Sequence, residues 1–167
     1  TATGQDVFHN YFFPFIDGFR YAEANNMESV AEVAGHDVCA VMLELVQGEG
    51  GVLPMDQEFV HELAVLCAER DWLLLVDEVQ TGIGRTGSWF AFQREDLTGG
   101  ITPDIVTFAK GVAGGFPMGG MISFGGKLSA LFTPGSHGST FAGNPLGAAA
   151  ALATLDTIEN EHLVENA

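Results

Sequence analysis

The chain has 167 residues, 47% of them apolar and 17% charged, a composition that excludes a disordered polypeptide and allows one sizeable core. Six Lys plus Arg stand against 22 Asp plus Glu, a formal net charge of −16, so the surface repels phosphodiester backbones and argues against a nucleic-acid partner. No apolar run is long enough to span a bilayer, which argues against a membrane partner.

Taken in chain order, residues 1–20 are aromatic-rich without a clean period, and they predict a loop with short extended pieces. VCAVMLE (residues 38–44) is a continuous apolar run of strand length. Asp56 is placed to cap a helix in which Phe59, Val60, Leu63, Cys67 and Arg70 recur at helical spacing. WLLLV (72–76) predicts a second buried strand, so strand, helix and strand make a right-handed crossover within a parallel sheet. DIVTFA (104–109) reads as a third strand and GGMISFG (119–125) as a further one. Asn144 and Pro145 open an Ala-rich helix that runs through Ile158. The class is α/β, with no repeats and no internal domain boundary. Cys39 and Cys67 lie in apolar segments without metal-ligand spacing, and both are expected to be small buried hydrophobes of a reducing compartment.

In open sheets of this class, ligands bind beyond the carboxyl ends of the strands. Glu44, Asp77 and Lys110 all fall at or just past such ends, and Lys110 is one of only two lysines, with Lys127. Each alone has a plainer use, as a helix cap, a turn acid or a solvated charge. Together they point to a site.

The segment LLLVDEVQTGIGRTG (73–87) admits three readings. Gly82-x-Gly84-x-x-Gly87 matches a dinucleotide fingerprint, but those glycines should follow the strand at once and open a helix. Here residues 77–81 intervene, bringing two carboxylates, and the aromatic SWFAFQ follows. The Asp-Glu after an apolar strand also resembles the acidic strand of a P-loop hydrolase. Gly126-Lys127 is followed by Leu128, however, with no glycine five residues before Gly126. The third reading is a carboxylate facing a pyridinium electron sink, which also needs an amine and phosphate anchors. Asp77 can keep a ring nitrogen charged, and Lys110 can supply the amine. The small, apolar FAKGVAGGFPMGG is expected to desolvate that amine, lowering its pKa and activating it. Ser136, Ser139 and Thr140 offer hydroxyls to a phosphate.

DEVQTGIGRTG, PDIVTFAKG and PGSHGSTFAGNPL, preceded by VMLELVQGEGGV, resemble in wording and order the class III (ornithine-type) aminotransferases, which are fold type I pyridoxal phosphate enzymes. The resemblance implies a mostly parallel sheet with flanking helices, belonging to the large domain of such a transferase. It places Asp77, Glu78, Val79, Gln80, Lys110 and Thr140 at pyridoxal 5′-phosphate. Asp77 would pair with the ring nitrogen, Val79 would lie on a ring face, Gln80 would reach the phenolic oxygen and Lys110 would bind covalently. Thr140 would hold the phosphate of a neighbouring subunit, which makes the site a property of a homodimer. Ser139, Glu44 and Glu49 would face the substrate, with Glu49 as a gate.

The implied partners are a small-molecule amino donor and a 2-oxo acid acceptor, in the cytoplasm. GSHGSTFAGNPL and QGEGGV are most similar to members that act on N2-acetylornithine in arginine biosynthesis, with ornithine, succinylornithine and 4-aminobutyrate as alternative donors. An aminomutase or racemase would share Lys110 and Asp77, and a non-catalytic fragment is the non-enzyme alternative. Leu45 stands where many members carry Pro, which is expected to alter a turn more than the chemistry. Residues 1–167 are expected to form a central segment of the large domain. The upstream phosphate loop, the stacking aromatic and the C-terminal small domain are expected to lie outside it, leaving this segment inactive alone.

Overall fold

A computed structural model describes residues 2–167. In chain order the elements are α1 (Met27–Val33), β1 (Ala40–Leu43), β2 (Val46–Gln47), β3 (Leu53–Pro54), α2 (Gln57–Arg70), β4 (Leu73–Asp77), α3 (Glu95–Thr98), β5 (Ile105–Phe108), β6 (Gly120–Ser123), α4 (Gly126–Ser129), α5 (Pro145–Asn160) and α6 (Leu163–Asn166). Single 3-10 turns occur at Asp6–His9, Ala91–Gln93 and Lys110–Ala113. The four-stranded sheet runs β1-β4-β5-β6. β1, β4 and β5 are parallel, with Leu43 beside Val76 and Asp77 beside Thr107. β6 returns antiparallel, pairing Gly120 with Phe108. β2 and β3 form a separate two-stranded hairpin. The fold is the α/β class expected from the alternation of apolar runs and helical periods.

Side chains alternate across a strand, so Leu74 and Val76 share a face with Leu43 and Val106. That face buries against Val60, Leu63 and Cys67 of α2 to form the main core. The spacing of those helix residues keeps one stripe inward. Asp71 ends α2 in the left-handed region, at φ 54, and the Trp72 N–H returns to the Cys67 carbonyl at 2.9 Å. Asp56 does sit at the N-cap of α2, but its side chain makes no capping hydrogen bond. Its own N–H is instead held by Asn25 Oδ1 at 2.9 Å, tying the helix to the preceding loop. α5 starts as expected, with Asn144 Oδ1 accepting from the Gly147 N–H at 2.7 Å and Pro145 in the first turn. Leu45, at 2% exposure, fills the core where proline would be smaller, and its carbonyl still accepts from the Met55 N–H. Among the described residues, no helix is long and apolar enough to cross a membrane.

The two cysteines differ, and the expectation that both are buried fails at Cys39. Cys67 lies in the core, while Cys39, just before β1, is exposed. Burial, with the negative charge of Asp104 adding to it, pushes the Cys67 thiol up to about 11. A maleimide at pH 7.5 is therefore expected to label Cys39 in the native protein and Cys67 only after unfolding. Equal labelling of both under native conditions would contradict this packing.

Candidate active site

Because β1, β4 and β5 run parallel, their carboxyl ends lie along one edge of the sheet. Glu44 follows β1, Asp77 is the last residue of β4, and Lys110 lies two positions past β5. The sequence clue of three chemistry-bearing residues at strand ends is therefore met in three dimensions.

Asp77 is half-buried, and its Oδ1 accepts from the Val79 N–H at 2.9 Å. This short turn fixes the carboxylate where the strand ends and leaves Oδ2 for another donor. The next residue continues the ladder, since the Glu78 N–H donates to the Thr107 carbonyl at 2.9 Å. Its side chain, however, turns inward. At 1% exposure, the Glu78 carboxyl group accepts from Thr81 Oγ1 at 2.6 Å, the Ala91 N–H at 2.9 Å and the Phe92 N–H at 2.8 Å. The resemblance lists Glu78 among cofactor contacts, but here its oxygens are spent on pinning the 81–92 loop beneath the site. It supports the loop rather than presenting a surface to a ligand. Glu78→Gln should place an amide donor against one of these N–H groups and cost about 2–3 kcal/mol, read as a lower denaturation midpoint at unchanged slope. An unchanged midpoint would remove this anchoring role.

The loop that Glu78 anchors settles the reading of its glycines. Gly84 and Gly87 adopt φ of 83 and 82, which permits tight turns, and the chain becomes helical again only at Ala91. Among the described residues no helix opens directly at the glycines, so they do not form a dinucleotide fingerprint. Arg94 closes the loop by donating to the Thr86 carbonyl.

Gln80 extends from this loop over the one that follows β1. A Cβ built on Gly48 would lie 2.2 Å from Gln80 Nε2 and 2.6 Å from its Oε1, so the carboxamide rests directly on the Gly48 backbone. The Gly48 N–H in turn donates to Glu44 Oε2 at 3.0 Å. Glu44, Gly48 and Gln80 thus form one contact between neighbouring strand-end loops, with Val79 half-buried beside it. Glu49 is exposed next to Gly48. Gly48→Ala should displace the flexible end of Gln80 without unfolding the protein, keeping stability within about 1 kcal/mol. In functional assays it should behave like Gln80→Ala, and the double variant should be no worse than either alone. Additive losses would show that the two residues act separately.

Lys110 opens a 3-10 turn with φ at 44, a left-handed conformation that a side-chain-bearing residue adopts at a cost of about 1 kcal/mol or more. Its apolar setting is present, since Val112 and Ala113 are each 3% exposed and pack with Ala151 of α5 and with Ile83 of the Asp77 loop. Lys110 itself is exposed, so this chain does not supply the desolvation expected of its amine. The burial falls on the residues after it because the 3-10 turn directs them, not the lysine, against α5. Ile83 was not anticipated from the sequence, yet it packs the Asp77 loop against the Lys110 turn.

Ser139 and Thr140 lie on the exposed segment before α5. Among the described residues, no hydrogen bond joins them to Asp77, Gln80 or Lys110. Ser136 donates its hydroxyl to the Thr133 carbonyl at 2.7 Å. Thr107 is a further residue that the sequence alone does not single out. Its signal was a single hydroxyl residue inside the otherwise apolar middle of DIVTFA.

The class III aminotransferase model matches residues 7–167. The chain is 73% identical over 130 residues to an acetylornithine aminotransferase of Bifidobacterium longum, covering 78% of this chain and 30% of that protein. It is 47% identical over 165 residues to the acetylornithine aminotransferase of Oceanobacillus iheyensis, covering 99% of this chain and 40% of that one. Among solved structures, an ornithine aminotransferase from Toxoplasma gondii superposes with a TM-score of 0.88 at 32% identity, covering 99% of this chain and 38% of that chain. The chain thus spans well under half the length of the relatives it matches. With the motif order, the strand-end constellation and a match over nearly every residue, the chain belongs to the class III aminotransferase family.

Proposed function

We propose that the protein carrying this chain is a pyridoxal 5′-phosphate-dependent aminotransferase. It moves the terminal amino group of N2-acetylornithine, or of a related ω-amino compound, to 2-oxoglutarate. The observation that carries this reading is the placement of Asp77 and Lys110 at the carboxyl ends of adjacent parallel strands, with their loops packed together through Ile83. Names of the similar proteins, acetylornithine aminotransferase in two bacteria, support the choice of donor.

The residues fit the cofactor. Asp77 offers a fixed carboxylate beside a sealed, unpartnered Thr107 hydroxyl, and Gly48 leaves room for Gln80 to cross between loops. Pyridoxal phosphate, when bound, supplies an electron sink that the protein's own side chains lack. Asp77 would hold positive charge on the ring nitrogen, because a nearby anion favours the charged form. Val79 would offer an apolar contact to the ring, and Gln80 would donate to its phenolic oxygen. Lys110 would anchor the cofactor covalently through Nζ, and that amine, when free, would serve as the base that takes up and gives back the substrate proton. Glu44, directly after β1, and Glu49, in the turn between β2 and β3, would face the amino donor. Glu78 holds the Asp77 loop from below.

We propose also that Thr140 and Ser139 act across a homodimer, with Thr140 serving the partner's phosphate and Ser139 its substrate. In support, their segment is exposed and carries Leu131, Phe132 and Phe141 at 67%, 51% and 82% exposure, apolar surface of the kind subunits cover. Two free cysteines fit a reducing cytoplasmic setting. As a central segment of the cofactor-binding large domain, residues 1–167 would supply the acid and the amine but only part of the pocket. The test is glutamate formation from 2-oxoglutarate with acetylornithine, ornithine or 4-aminobutyrate as donor. Highest kcat/KM with acetylornithine is expected. Ornithine is the second reading, favoured by the likeness to the Toxoplasma gondii structure. No glutamate from any ω-amine would overturn the proposal.

A further inference from the structure

We infer that Thr107 is a positioning residue for Asp77: its hydroxyl, unpartnered here, would turn to the carboxylate when that group faces the pyridine nitrogen of a bound cofactor. This rests on the aminotransferase reading above. Asp77 and Thr107 are register partners on adjacent parallel strands, so their side chains leave the same face of the sheet side by side. The opposite face, with Val76 and Val106 at 0% exposure, is filled by the core. On the Asp77 side, Thr107 Oγ1 is sealed from solvent and has no hydrogen-bond partner.

A buried hydroxyl without a partner is destabilising, and its persistence needs a reason. Among the described residues only Thr86 shares this condition, and Thr86 lies within the turn that Arg94 closes rather than beside the acid. The Val79 N–H already fixes Asp77 Oδ1. A hydroxyl from the neighbouring strand is suited to fix the other oxygen, with the proton donated by Thr107. Two donors from two directions would hold the plane of the carboxylate, which one cannot. The main-chain link from the Glu78 N–H to the Thr107 carbonyl keeps the two strands in register at this point. The arrangement is therefore built to couple Thr107 to whatever charge Asp77 faces.

The test uses the full-length protein with Thr107→Val, Thr107→Ser, Asp77→Asn, and Thr107→Val combined with Asp77→Asn. It reads pyridoxal phosphate affinity from the cofactor's absorbance and thermal unfolding of the cofactor-free protein. Thr107→Val should weaken pyridoxal phosphate by about tenfold or more, the size of one hydrogen bond to a charged group. Thr107→Ser, which keeps the hydroxyl, should stay within about threefold of the parent, a loss clearly below that of one such bond. In the Asp77→Asn background, Thr107→Val should change affinity less than about twofold, because the pair is coupled. Cofactor-free Thr107→Val should unfold at the same temperature or higher, since valine relieves an unpaired hydroxyl at nearly constant shape.

Parent-like affinity in Thr107→Val would overturn the inference while leaving the cofactor reading intact. Equal losses in both backgrounds would overturn it too, since the hydroxyl would then act independently of Asp77. A marked loss of cofactor-free stability would overturn it as well, by showing the hydroxyl already engaged in the fold. Absence of pyridoxal phosphate binding in the parent would instead overturn the cofactor reading on which it rests.

Discussion

Lys110→Ala is expected to lower transamination by about 10²- to 10⁴-fold, the usual worth of one positioned acid–base group, with loss of the covalent anchor added to it. The structure makes this a clean substitution. Lys110 is exposed at the head of a 3-10 turn, so truncating it removes no core packing, while Val112 and Ala113 still bury against α5. Folding stability should accordingly change by no more than about 0.5 kcal/mol. A small primary amine added to Lys110→Ala should restore part of the rate, because the missing function is an amine at an accessible position. Full activity in a folded Lys110→Ala protein would remove the residue from the chemistry. Collapse of the fold would show that its φ of 44 serves structure alone.

Asp77→Asn is expected to keep much of the cofactor and lose about 10²-fold or more in turnover, as neutralising a transition-state charge partner typically does. The replacement keeps the shape and retains an oxygen for the Val79 N–H, so the turn after β4 should persist. What is lost is the anion that favours a charged ring nitrogen. The loss should therefore fall on kcat more than on KM, since the interaction strengthens as negative charge develops in the ring. Parent-like kcat in a folded, cofactor-loaded Asp77→Asn protein would refute the electron-sink role.

The parts of this arrangement that were legible in the sequence are those where one residue type does one physical job over several positions. The run through Leu74 and Val76 is apolar because both lie inside, and it ends at Asp77 because the strand ends there. The α2 stripe and the Asn144-Pro145 start of α5 follow the same logic of period and cap. The parts that were not legible depend on the direction of a single side chain. Asp77 and Glu78 are adjacent carboxylates, and only the fold shows one at the site edge and the other bonded beneath it. Lys110 sits in an apolar sequence, yet the turn buries its neighbours and leaves it exposed. Cys39 shares an apolar segment with β1 but falls just before the strand, outside the core. α1 is only two turns long and rests on one cap, Asn26 Oδ1 to the Ser29 N–H at 3.0 Å, while β2 and β3 have two residues each. Such short elements carry too little periodicity to stand out. Thr107 is a single hydroxyl whose meaning depends on which strand lies beside it, a fact of register rather than composition.

The proposed chemistry depends most directly on the identity of the anchoring amine. The full-length protein would be saturated with pyridoxal phosphate, reduced with borohydride, digested and mapped by mass spectrometry. A pyridoxyl group on Lys110, absent when the same treatment is applied to Lys110→Ala, is the result expected from its place past the end of β5 beside Asp77. A pyridoxyl group on Lys127, or no stable label at all, would contradict it.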